Sequence, residues 1–562
     1  MKHNSITKSA FNLLSVILLF SSCTDFMNRY PLDSPSTETF YSNEEEMRMA
    51  LNGCYSKLSF TPWNVMPFEL SLDMMTDIGW KRTAGSQPQI IGQGGHDANT
   101  SAFYSIWDNY YTGIGRCNRL LEGMKKGKNN INTEKYNQIS AEARFIRAYC
   151  YLHLIACFGD VPLVLQTNTL DEAFVTRTPK SEIYQYLYNE LDDIVQYLPI
   201  KAQDKQHIEK GTALGLKARA ALYNGDYDIA AEAAKACMDL KKYTLHPNYR
   251  DLFQQTGENS DEIMLSYSFD GVLRYTQMRV CLSMKMNRGM LRSWATYVPT
   301  LKMVDSYECS DGLPINESSI YNPQKPYENR DPRMGMTIVR PGDIYGGWIF
   351  NSHPDSIKTI NIETGEVAEN LDATGQYASF TGYGYLKYFD EKELDPMICT
   401  GNIILMRYAE VLLTYAEAKI ELNQIDQSVY DAINEIRARP TVKMPLVNSI
   451  THPDQKSLRK QIRRERNVEL ALEGFRLYDI RRWRLAEKAM NVTLYGKPNS
   501  GTRKYEGIPI FDSTGEVPNY DKYDDIFRVI EKRIFNPNRD YLFPIPQQEI
   551  DTNPNLTQNP GY

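Results

Sequence analysis

Residues 463–483, "RRERNVELALEGFRLYDIRRW", carry six arginines and four carboxylates in one run. Three kinds of chemistry use such residues: a basic helix on nucleic acid, a carboxylate cluster for acid–base catalysis, or ion pairs inside the protein. On a helix, Glu465, Glu469 and Glu473 fall at i, i+4 and i+8, on one face. Arg466 precedes Glu469 by three residues and Arg476 follows Glu473 by three, so opposite charges meet on adjacent turns. The planar arginine fork holds carboxylates bidentately. A carboxylate held this way stays ionised and occupied, which removes it from general acid work. Arg466, Glu469, Glu473 and Arg476 therefore read as a structural ion-pair network. Gly474 is expected to end or bend the helix and let "FRLYDIRRW" turn back.

Other reactive side chains are sparse in pattern. The chain has 63 basic and 70 acidic residues and a net charge of −7, opposite in sign to what phosphate neutralisation requires. No nucleic-acid role is expected. The seven histidines show no H-E-x-x-H spacing, and no cysteine pair forms C-x-x-C. No metal, cofactor or catalytic residue is expected. The cysteines after Cys23 read as buried thiols, several of them in apolar helical runs such as "RAYCYLHLIACFGD". His153, alone on such a helix, reads as a core residue. Tyrosine is abundant, at 38 residues, and rings with an apolar face and a polar edge suit a ligand that is both.

The elements that would position these groups are mostly helices. "NEEEMRMALNGCYSKL" (43–58) opens on an Asn cap and an acidic first turn. Residues 101–124, 140–160 and 179–199 repeat apolar side chains at three- and four-residue spacing. Residues 212–240 and 407–440 each read as two small-residue helices joined by a turn, the pattern of tetratricopeptide-like pairs. From 248 to 400 periodicity gives way to Gly, Pro, Asn, Asp and aromatics, which reads as a loop-rich insert with short strands, where binding residues tend to sit. At the start, Lys2 and Lys8 precede the apolar run "AFNLLSVILLF" (10–20), too short for a bilayer-spanning helix of roughly 20 residues. It ends at "FSSC", the pattern of a lipoprotein signal in which Cys23 becomes the lipidated N-terminus. The expected order is a signal peptide (1–22), an extended tether (23–36), a helical scaffold (37–247), the insert (248–400), and a C-terminal part (401–562) that completes the same scaffold.

"IRRERNVELALEGFRLYDIRRW" resembles the C-terminal signature of the SusD/RagB family, surface nutrient-binding lipoproteins of Bacteroidetes. "CTDFMNRYPLD", "ARFIRAYCYLHLIACFGDVPL", "SYECSDGLPI", "NRDPRM", "ILMRYAEVLLTYAEA" and "YLFPIPQQEIDTNPNLTQNPGY" are similar to further family blocks and occur in family order. The resemblance implies a mainly α fold with tetratricopeptide-like helix pairs and a less regular ligand-facing part. It also implies an outer-membrane lipoprotein facing the cell exterior. Such a protein captures oligosaccharide without cleaving it and delivers it to a SusC-like TonB-dependent β-barrel transporter, touching the membrane through its lipid alone. A peptide-binding RagB-like role and a surface glycosidase are the alternatives. A pyranose stacks its C–H face on an aromatic ring while its hydroxyls seek polar partners. Trp107 and Trp483, inside helices, are expected in the core; Trp63, Trp80, Trp294 and Trp348 are ligand candidates. Asp77 joins Trp80 in a region that contributes to the glycan site in some members of the family. Tyr345 flanks Trp348 beside glycines that would leave both rings exposed.

Overall fold

The structure is a computed structural model that describes residues 40–61, 65–284, 293–376, 378–390, 392, 397–501, 510–511, 518–519 and 525–562. Cys23 and Trp63 lie outside the described residues. Among the described residues ten helices carry the framework: α1 (Glu44–Tyr55), α2 (Ser101–Gly123), α3 (Thr133–Phe158), α4 (Lys180–Ile194), α5 (Lys210–Asn224), α6 (Tyr227–Asp239), α7 (Tyr408–Glu421), α8 (Gln427–Arg437), α9 (Gln455–Glu469) and α10 (Arg476–Arg482). Local sequence sets their ends. Asn43 accepts from the Glu46 amide at 3.0 Å, and three glutamates fill the first turn of α1, where the helix dipole favours negative charge. Asp454 and Ser457 close a reciprocal capping box on α9. Gly225 ends α5 with φ +88°, a left-handed conformation that glycine adopts without strain.

Successive helices pack as neighbours: α2 on α3, α3 on α4, α4 on α5 and α5 on α6. The stack then continues from α6 directly to α7, and on to α8 and α9, although residues 240–407 intervene in sequence. Ala213, Ala220 and Ala221 of α5 and Ala230, Ala233 and Ala234 of α6 are all buried, on two helices that pack together. Methyl side chains let the paired backbones approach closely, so the small-residue pattern becomes the tight helix pair.

The strands are short: β1 (Gly79–Lys81), β2 (Ile263–Tyr267), β3 (Tyr297–Pro299), β4 (Ile344–Tyr345), β5 (Trp348–Ile349), β6 (Ile403–Arg407), β7 (Thr493–Pro498) and β8 (Phe527–Lys532). They form two-stranded antiparallel ribbons. β2 pairs with β6, which ties the start and end of the irregular region together at the base of α7. One hydrophobic core runs from Tyr41 to Leu556 and takes in Tyr249, Leu282, Tyr345 and Phe389 from that region. The irregular part is thus packed on the helices and shares their core. All eight described cysteines are buried and none forms a disulfide. His153 stacks on Tyr110, with ring centroids 5.1 Å apart, and its Nδ1 lies 3.3 Å from the Tyr478 hydroxyl. Burial, aided by the nearby Arg219 charge, pushes its pKa down to about 3, so it sits in the core as a neutral ring. Among the described residues no helix is long and apolar enough to cross a membrane.

Candidate functional site

The charged run 463–483 folds into the interior, with partners that differ from those its helical spacing suggests. α9 ends at Glu469, and Glu473 lies in the turn beyond it, where Leu472 (φ +58°) and Gly474 (φ +81°) reverse the chain into α10. Glu469 is not paired with Arg466. It accepts from Arg333 at 2.9 Å, Arg407 at 2.8 Å and Arg439 at 3.0 Å. Glu473 is held by Lys387 at 2.6 Å and by Arg407 at 2.8 Å. Arg466 bonds Asp479 at 2.9 Å. Arg476 clasps Asp77 with two bonds of 2.9 and 2.8 Å.

Around Glu469 the charges balance. Glu262, Glu308, Asp331, Glu465, Glu469 and Glu473 interlock with Arg333, Lys387, Arg407, Arg437, Arg439 and Arg464. Burial works to raise the Glu469 pKa, but Arg439, Arg407 and Arg333 outweigh it and hold the carboxyl well below the usual range. Such a carboxylate is fixed, ionised and closed to solvent. It offers no proton and no open face to a substrate. Its work is to lock the irregular region (Glu262, Arg333, Lys387) to the helices (α8, α9).

Most sequence candidates for ligand contact are interior. Asp77 is 2% exposed and consumed by Arg476. Tyr345 and Trp348 are 2% and 3% exposed, contrary to the exposure expected from their neighbouring glycines. The reason is register. Tyr345 and Trp348 are cross-strand partners in the β4–β5 hairpin, so their side chains share a face. That face points inward, while Ile344 on the other face is 59% exposed. The glycine turn serves the hairpin and not the rings. Trp107 and Trp483 are buried, as expected of helix residues.

Trp80 is buried as well, contrary to the exposure expected of it, while Trp294 is half-buried. Trp80, on β1, is 4% exposed, and its Nε1 donates to Glu531 at 3.0 Å. The same carboxylate accepts from Gln93 at 3.0 Å and pairs with Arg533 at 2.9 Å, so the indole plane is fixed from its edge. Phe380 stacks on it with centroids 6.1 Å apart and planes 25° apart. The Arg528 guanidinium, exposed on β8, lies 4.0 Å over the Phe380 ring. Phe380 thus contacts both the buried Trp80 ring and the exposed Arg528 guanidinium. Beside it, Arg82 donates to the Trp294 carbonyl at 2.9 Å and to the Gln376 carbonyl at 3.4 Å. Lys497 of β7, whose amide donates to the Phe380 carbonyl at 3.1 Å, sends its Nζ to the Ala373 carbonyl at 3.1 Å. Burial and the charge of Arg528 both lower the Lys497 pKa.

These residues come from β1, Phe380, β7 and β8, so the cluster is not confined to residues 248–400. Sequence reasoning missed Phe380, Arg82, Lys497 and Arg528. Arg82 follows Trp80 by two residues, just past the end of β1. The pairing of β7 with β8 and the approach of Phe380 to Trp80 are long-range and left no pattern to read. Among the described residues no cluster of His, Cys, Asp or Glu suits a metal ion.

Comparison with known proteins fits this architecture. A family model described as the SusD family matches residues 255–562, and one described as starch-binding associating with outer membrane matches residues 33–222. A SusD-like protein of Formosa agariphila, P2, is 25% identical and spans 99% of this chain and 100% of its own. The crystal structure of a SusD-like carbohydrate binding protein from Bacteroides fragilis has a TM-score of 0.78 at 29% identity, covering 92% of this chain and 100% of that one. A laminarin binding SusD-like protein shares the fold at a TM-score of 0.67 and 19% identity, covering 93% of this chain and 100% of its own. With more than half of its length matched by that model, the chain belongs to the SusD family.

Proposed function

We propose that this protein is a lipid-anchored lipoprotein of the outer-membrane surface that captures oligosaccharide and passes it, uncleaved, to a SusC-like TonB-dependent β-barrel. The observation that carries the binding half is Phe380 in contact with both Trp80 and the exposed Arg528, beside Trp294. Flat groups of this kind meet the C–H face of a sugar ring, and the amide and guanidinium edges around them meet its hydroxyls. Support also comes from the family: the Bacteroides fragilis relative is described as carbohydrate binding and another solved relative as laminarin binding. In this reading Cys23 carries the lipid, residues 23–36 form the tether, and 37–247 with 401–562 form one scaffold for the 248–400 insert.

The test is an array of oligosaccharides and peptides probed with the mature protein. Saccharide binding that weakens in Trp294→Ala and Phe380→Ala, with no new reducing ends over long incubation, is the expected result. Binding of peptides alone moves the assignment to a peptide-capturing member, and release of reducing ends moves it to a surface hydrolase.

A further inference from the structure

A cleft of about 350 Å³ is bounded by the 311–317 loop, the 445–447 segment and the first turns of α9, within the roughly 300–1,000 Å³ of small-molecule sites. It shares no residue with the Phe380 cluster. Gly312 (φ +83°) lets the loop approach closely: a β-carbon there would lie 3.3 Å from Pro445 and 3.5 Å from an Arg437 nitrogen. Arg437, which lines the cleft, is spent on the Pro445 carbonyl at 2.7 Å, Glu465 at 2.8 Å and Glu308 at 2.9 Å.

The sides of the cleft differ in chemistry. On α9, Lys460 and Arg464 lie one turn apart, and Gln461 follows Lys460. Arg464 is partly committed, to Glu308 at 3.1 Å and to the Gln461 side-chain oxygen at 3.3 Å. Gln461 is 1% exposed, and its Nε2 completes no hydrogen bond among the described residues, although the side chain lies near enough to Glu308 to help hold that carboxyl's pKa down. Lys460 is half-buried, and its ammonium has no ion pair or hydrogen bond among the described residues. This wall has donors in surplus.

The loop has acceptors in surplus. Glu317 is exposed and forms no ion pair among the described residues. Asp311 accepts only from uncharged groups, the Leu313 amide at 3.1 Å and the Ser318 hydroxyl at 2.7 Å. The third carboxylate, Asp454, caps α9 through the Ser457 amide at 2.7 Å and has exposed Lys456 next to it. Four cations (Arg437, Lys456, Lys460, Arg464) thus line the cleft with three carboxylates, so it is mixed in charge and not simply basic. Leu313 and Leu446 also line it, 42% and 56% exposed, and aliphatic surface left in water gains by being covered. A bare anion, a bare cation or a hydrocarbon would each leave two of these three surfaces unmet. A ligand that carries a carboxylate, an ammonium and an aliphatic group meets all three.

We propose that this cleft is a second binding site, for a free α-amino acid with an aliphatic side chain. Its carboxylate is met by Lys460 and Gln461, its ammonium by Asp311 and Glu317, and its side chain by Leu313 and Leu446.

Calorimetric titration of the mature protein with four probes tests it. L-leucine carries all three groups, leucinamide lacks the carboxylate, N-acetyl-L-leucine lacks the ammonium, and glycine lacks the aliphatic group. The expected result is that L-leucine binds and that each of the other three binds at least tenfold more weakly. Loss of one charge-assisted bond in Lys460→Gln is expected to weaken L-leucine about tenfold. Lys460 has no partner to lose in the folded chain, so its melting temperature should not move, and the comparison of probes on the native protein needs no variant at all. No binding of L-leucine at millimolar concentration overturns the proposal. So does binding of leucinamide or N-acetyl-L-leucine as tight as that of L-leucine, or an unchanged L-leucine affinity in folded Lys460→Gln.

Discussion

Glu469 is the point where three guanidinium groups from three separate parts of the chain converge: Arg333, Arg407 and Arg439. Removing the charge while keeping the shape leaves those cations buried and under-paired, which costs on the order of 3–5 kcal/mol. Glu469→Gln should therefore lower the melting temperature sharply while the folded fraction keeps its ligand affinity. Thermal melts with parallel titrations check this; a variant that melts normally but no longer binds would place Glu469 in the site. The folded pKa of Glu469 is depressed from 4.5, so its stabilisation is present above that value and is lost as pH falls below it. Glu69 works in the opposite sense. Burial pushes its pKa from 4.5 up to about 7, and its one side-chain bond is from Ser59 at 2.7 Å. Because the folded state resists ionisation, stability is greatest below about pH 4.5, declines as pH rises towards 7, and is level above that. Glu69→Gln should gain on the native protein across that window, by on the order of 3 kcal/mol once the difference levels off. Chemical denaturation at pH 4, 6 and 8 measures it, and a gap that does not widen with pH would contradict the buried-acid assignment.

At the level of elements, the reversal between α9 and α10 is what brings the charged run into register with its partners. Gly474 has φ +81°, and a β-carbon there would sit 2.4 Å from the Glu69 carbonyl oxygen, a backbone atom that cannot swing aside. Left-handed strain and that clash together predict that Gly474→Ala destabilises by about 2–4 kcal/mol. A melting temperature within a degree or so of the native protein would show that the turn tolerates a side chain. This turn also marks how far the sequence could be read. Helix periodicity, caps and small-residue pairs are local, and α1 to α8 follow from them. Gly474 was legible as the break, but the helix stops earlier, at Glu469, because Leu472 also takes up a left-handed conformation that its residue type does not announce. The sequence showed that residues 463–483 form ion pairs; with whom is a property of the fold, since Arg333, Lys387 and Arg407 arrive from distant segments. The ligand candidates fared less evenly for the same reason. Trp294 is half-buried beside the Phe380 cluster, while the rings of Trp80, Tyr345 and Trp348 are buried, the last two through a strand register that composition does not encode.

At the scale of the whole molecule, the helices stack without interruption from α2 to α8 while the irregular region shares their core. The Arg–Glu network ties the irregular part to α8 and α9. Among its described residues no helix is long and apolar enough to cross a membrane. Under the proposed function, whatever is captured needs a transporter beneath to accept it. A lipid at Cys23 with a short polar tether would hold the protein close to the bilayer at raised effective concentration, so that even a weak contact with an integral barrel persists. The expected outcome is that the native protein, solubilised in mild detergent, co-purifies with a SusC-like β-barrel. Cys23→Ala should leave the membrane fraction and lose the barrel, while Trp294→Ala should retain the barrel and bind saccharide more weakly. Those two losses are separable because lipid attachment and saccharide contact are assigned to different residues. Recovery of the membrane-bound protein without any barrel, under detergent conditions that preserve other outer-membrane complexes, would sink delivery and leave a free-standing surface binder.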